Sequence, residues 1–109
     1  MSFAVHTLWR AERDFDRIVA WLCERSPQGA DTWLRAWEKT KETLHDSADK
    51  FGLAPENEGQ ELEVREINFH TRKGKDYGVL YTIRDRNVYI MHLRGPGQDL
   101  LSPDEVRFH

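Results

Sequence analysis

The sequence has 109 residues, enough for one domain with a single hydrophobic core and too few for a comfortable second. Its 39% hydrophobic and 32% charged residues exclude a disordered chain, and no apolar run nears the roughly 20 residues of a spanning helix. The net charge of −3 counts against a protein built wholly to grip polyanions, but that charge is unevenly distributed along the chain.

Phe3 to Leu8 predicts a short strand, and nothing before it resembles a secretion signal. From Ala11 to Arg25 the apolar residues Ala11, Phe15, Ile18, Val19, Leu22 and Cys23 recur at helical spacing. Ser26-Pro27 then stops this helix and starts another, with Ser26 as N-cap and Pro27 at the first helical position. The second helix carries Ala30, Trp33, Leu34, Trp37 and Leu44 on one side and is expected to end near Ala48. The lone Cys23 has no disulfide partner, which suits a reducing cytoplasm, and its place in the apolar stripe predicts burial.

Residues 49–60 are rich in turn formers and acid and read as a loop. Beyond it the period changes to two, predicting strands at about Leu62–His70, Tyr77–Ile83 and Val88–Arg94. Gly95-Pro96-Gly97 ends the last strand, and Ser102-Pro-Asp-Glu105 resembles a capping box with room for one helical turn. The expected fold is therefore α+β and a single domain over 1–109. An N-terminal strand precedes an α-helical hairpin, packed on one face of a small antiparallel sheet whose other face stays open.

The charge distribution bears on that open face. Residues 1–63 hold 8 basic and 13 acidic residues, net −5, whereas residues 64–94 hold 7 basic and 3 acidic, net +4. A surface attracts ligands through its local field, so the sheet is a candidate anion-binding face on an acidic body. Read more plainly, the same charges keep a sheet edge soluble.

Strand alternation sends Tyr77, Val79, Tyr81 and Ile83 toward the helices, together with Ile67, Phe69, Tyr89, Met91 and Leu93. It leaves Glu66, Asn68, His70, Gly78, Ile90, His92 and Arg94 on the open side. Arg65 shares the inward parity and is expected at the sheet's margin with its head group wet. The simplest register pairs His70 with Gly78 and Gly78 with Arg94, placing an imidazole and a guanidinium on either side of a residue with no side chain. Arg72, Lys73 and Lys75 ring the same end from the hairpin loop. Arg can fork onto a phosphate, and His carries a proton near neutral pH. Cutting RNA asks for a base on the 2′-hydroxyl, a cation on the phosphate and an acid for the leaving oxygen. His92, Arg94, His70 and Glu66 are the candidates for that chemistry, with Arg65, Arg72, Lys73, Lys75 and Tyr77 as candidates for holding substrate. No metal-ligand spacing and no phosphate-cradling glycine loop occur, so neither metal nor cofactor is expected.

The stretch Val64 to Ile83 followed by Val88 to Gln98, with Ala11-Glu-Arg-Asp14 and the Ser26-Pro27…Ala30…Trp33 pattern upstream, resembles the RelE/ParE toxin superfamily over nearly the whole chain. That resemblance implies a toxin of a type II toxin–antitoxin system, neutralised by a small cognate antitoxin. It implies one of two targets: messenger RNA on the ribosome, cut by an endoribonuclease, or DNA gyrase, inhibited without catalysis. The ribonuclease branch usually carries an Arg directly after the Tyr of the middle strand, and here that position is Gly78. A degenerate member that only binds an antitoxin, or a nucleic-acid-binding module using the same basic face, are the remaining readings.

Overall fold

A computed structural model of the protein describes residues 2–55, 62–71 and 76–95, in the order expected from the sequence. Strand β1 (Ala4–Thr7) leads into helices α1 (Trp9–Arg25) and α2 (Pro27–Ser47), then a short 3₁₀ turn (Ala48–Lys50). Strands β2 (Arg65–Phe69), β3 (Tyr77–Arg84) and β4 (Asn87–Arg94) complete the sheet.

Ser26 punctuates the helical hairpin in both directions. Its backbone N–H donates to Leu22 O at 2.8 Å, closing α1, while its hydroxyl accepts the Gly29 N–H at 3.0 Å, opening α2 with Pro27 in the first turn. The sheet order is β1-β4-β3-β2. The last three strands form the expected antiparallel meander, and β1 joins it parallel to β4, so the sheet is mixed. A two-residue turn at Asp85 and Arg86 links β3 to β4, with Asp85 in the left-handed region at φ 56°, which its short polar side chain tolerates.

Both helices cover one face of the sheet. Phe15, Trp33, Trp37, Phe69 and Tyr77 meet there as a continuous aromatic cluster, with neighbouring ring centroids 5.5–6.2 Å apart. Such offset and tilted contacts add about 0.5–1.5 kcal/mol per pair beyond their burial. The opposite face is not left bare: Ala54, Val64 and Leu8 pack on Leu80 and Met91 as a second, smaller cluster. The segment after the 3₁₀ turn also covers the outer edge of β2, where Glu66 N–H donates to Gly52 O and Ala54 N–H to Val64 O.

Three expectations are corrected. First, β4 carries a bulge at Met91, since Leu80 pairs with His92 but Tyr81 pairs with Ile90. The extra residue reverses parity, so Ile90 and Val88 enter the helix-side core while Tyr89 turns to the far face and stacks on His6. Second, Cys23 is exposed, because only Leu22 of the last turn of α1 packs against the core. Third, the expected turn at residues 102–105 lies outside the described residues.

Tyr81 is fully buried, and its hydroxyl donates to Ala48 O at 2.6 Å, tying the middle strand to the end of α2. Burial pushes its phenol up to about 12, with Arg65 pulling the other way and Asp49 adding slightly. The neutral phenol is thus favoured by the folded state. The stability it contributes is complete below about pH 10, its unfolded value, and is lost as pH rises toward 12. Phenolate absorbance should show a late step near pH 12 that vanishes in Tyr81→Phe.

Candidate functional site

The far end of the sheet gathers part of the expected constellation and rearranges it. The rows Gly78–Arg94 and Leu80–His92 form as expected. Strand β2, however, sits two residues along from its expected register, so Asn68 lies opposite Gly78 and Glu66 opposite Leu80. His70 therefore falls beyond the sheet, exposed, with Nδ1 3.3 Å from Asp76 Oδ1.

Glu66 fills the space that Gly78 leaves. Its carboxylate reaches across the glycine to Arg94, with Nη2 donating to Oε2 at 2.5 Å and both side chains mostly buried. A Cβ at Gly78 would overlap Glu66 Oε2 and press on Asn68 Oδ1 at 3.3 Å. The absent side chain thus makes room for an internal ion pair. An anion arriving here meets an Arg already held by a carboxylate.

His92 is 4% exposed, which leaves no face for a substrate. Its Nδ1 lies 2.6 Å from Asp14 Oδ2 but off the line of an aligned hydrogen bond, so the contact is one of charge and proximity. Its Nε2 has no hydrogen-bond partner among the described residues. Asp14, on α1, is equally buried and holds this corner together. Oδ2 accepts the Leu93 N–H at 3.1 Å, and Oδ1 accepts from Arg17 Nη2 at 3.1 Å. Arg10 Nε lies 3.7 Å from the same Oδ1. The reason is topological. β1 pairs with β4 only as far as Ile90, so Leu93 on the uncovered edge needs an acceptor, and α1 supplies a carboxylate instead of a strand.

The candidates for holding substrate are also placed differently from the expectation. Tyr77 faces the helices within the aromatic cluster, and burial raises its phenol above the ordinary value. Arg65 is not a wet margin residue: Nη1 donates to Phe51 O at 2.5 Å and Nη2 to Glu63 at 3.3 Å. Arg72, Lys73 and Lys75 lie outside the described residues. Among those described, no cluster of three or more His, Cys, Asp or Glu could hold a metal, and no helix is long and apolar enough to cross a membrane.

Sequence reading missed Asp14, although a signal was present. It falls between Ala11 and Ile18 inside the apolar stripe of α1, where a charged residue must be paired to be tolerated.

Comparison with known proteins agrees with this architecture. The structure is similar to a chain of the chromosomal ParDE toxin–antitoxin system from P. aeruginosa, with a TM-score of 0.63 at 14% identity. The similarity covers 86% of this chain and 96% of that one. No curated protein matches the sequence. The family described as the ParE toxin of type II toxin–antitoxin systems, parDE, matches residues 5–100. With a match across nearly its whole length and the fold to go with it, the chain belongs to the ParE toxin family.

Proposed function

We propose that this toxin is neutralised by a cognate antitoxin and acts by binding its target, DNA gyrase, rather than by cutting messenger RNA on the ribosome. The observation that carries this reading is the Glu66–Arg94 pair over Gly78. Phosphoryl chemistry asks for a cation able to accept a phosphate and for proton-transfer groups within reach of it. Here Arg94 is engaged by Glu66, His92 is enclosed beside Asp14, and His70 stands apart beside Asp76. A binder needs none of these groups exposed.

Induced without its partner, the protein should arrest growth under either reading, so the mechanism is decided by two parallel measurements. Purified toxin is expected to inhibit gyrase supercoiling, while 5′-end mapping shows intact messages. Gly78→Arg, which restores the side chain usual in the ribonuclease branch, is expected to produce no cleavage. Codon-phased cuts with normal supercoiling would reverse the assignment and return Arg94 and His92 to catalytic roles, to be tested with Arg94→Ala and His92→Gln.

A further inference from the structure

Helix α1 presents a ridge to solvent that the rest of the fold does not use. Positions 9, 13, 17, 21 and 25 follow at four-residue steps and read Trp, Arg, Arg, Trp, Arg. At 1.5 Å per residue this column runs for about 24 Å, with its two indoles about 18 Å apart. Trp9 is 61% exposed and Trp21 is 49% exposed, whereas Trp33 and Trp37 are core. An exposed Trp gives up the large burial energy its ring could gain, and two on one ridge mark a surface meant to be covered.

The arginines are arranged around these rings. Arg13 lies 4.8 Å over the Trp9 ring and Arg25 lies 3.9 Å over the Trp21 ring. Neither has a carboxylate partner among the described residues. Each guanidinium is therefore pre-oriented by an indole while its N–H donors remain available to an incoming acceptor.

Beside the ridge, positions 12, 16, 20 and 24 read Glu, Asp, Ala, Glu. Glu12 and Asp16 also wall a groove of about 310 Å³ between the helices, with Phe15 and Trp37 among its lining residues. The outer face of α1 thus carries a basic–aromatic column and an acidic column side by side. A nucleic-acid strand would meet the repulsion of the acidic column along its whole length. An amphipathic helix can match both columns, with carboxylates against the arginines and basic side chains against Glu12 and Asp16.

We propose that this ridge is the docking surface for an acidic helical segment of the antitoxin, with Trp9 and Trp21 as its anchors and Arg13 and Arg25 as its charge contacts. The inference rests on the toxin–antitoxin reading and adds the surface and the chemistry of the segment it takes.

The test uses the full chain and the product of the reading frame beside it, titrated against wild type and three variants. Trp21→Ala should weaken binding about 30-fold, the size of a hot-spot truncation. Arg13→Glu combined with Arg25→Glu should weaken it further and flatten its salt dependence. Arg35→Glu, an equally exposed charge reversal on α2, should leave affinity unchanged. All the substituted residues are exposed, so thermal melts should stay close to wild type. Wild-type affinity in the ridge variants would overturn this surface while leaving the toxin reading intact. No binding by the wild-type chain would remove both. Self-association or oligonucleotide binding that the ridge variants lose, with partner affinity kept, would reassign the ridge to a second copy or a nucleic acid and overturn the proposal.

Discussion

Asp14→Ala is expected to lower the unfolding free energy by about 3–5 kcal/mol, the cost of breaking a buried charge network by removing one member. Three groups lose a partner at once. The Leu93 N–H is stranded on an uncovered strand edge, His92 Nδ1 loses its only near neighbour of opposite charge, and Arg17 loses its acceptor. The first loss dominates, because a buried N–H without an acceptor carries its full desolvation cost, whereas Arg17 can turn to water. Asp14→Asn keeps a side-chain oxygen for Leu93 and should cost appreciably less. Thermal melts of the two variants separate the explanations: equal losses would show that charge, rather than the edge hydrogen bond, is what Asp14 contributes. For a domain of this size the Asp14→Ala loss corresponds to a fall in Tm of roughly 10–20 °C.

Trp33→Ala is expected to cost a similar 3–5 kcal/mol through the cavity it opens. Trp33 is the largest of the fully buried side chains, and four aromatic neighbours lean on it: Phe15, Trp37, Phe69 and Tyr77. Rings so large cannot collapse into the gap without leaving their rotamers, so relaxation recovers little. Trp33→Phe makes the sharper comparison. The indole Nε1 is buried without a partner among the described residues, and the substitution removes that unpaired donor along with part of the ring. The loss should therefore fall clearly below that of Trp33→Ala, and urea midpoints at unchanged m-value would show it.

Much of this fold was legible because its signals are local. Alternation in residues 77–83 placed Tyr77, Val79 and Tyr81 on the helix side, and Ser26-Pro27 located the hairpin. The register of β2 was harder for a definable reason. Parity excludes a slip of one residue but is blind to a slip of two, which keeps every face and moves His70 off the end of the sheet. The bulge at Met91 was equally hidden, since Tyr89, Met91 and Leu93 alternate as well as any regular strand. The Glu66–Arg94 pair follows from that slip, so the character of the site could not be read before the register was known. Asp14 was readable in principle: a lone carboxylate in an apolar stripe asks for partners, though not which ones.

The strand order also governs when the molecule can come into being. β4 lies between β1 and β3, yet it is the last strand to be translated. A nascent chain can wind its helical hairpin early, from contacts close in sequence. Ala4 has no strand to pair with until Asn87 emerges, and α1 has no edge to cap until Leu93 does. Closing so long a loop is entropically costly, and topologies with such distant pairings fold slowly. The surfaces that depend on a seated α1 are thus assembled only at the end of synthesis, which gives an antitoxin already present in the cell time to meet each new copy as it folds.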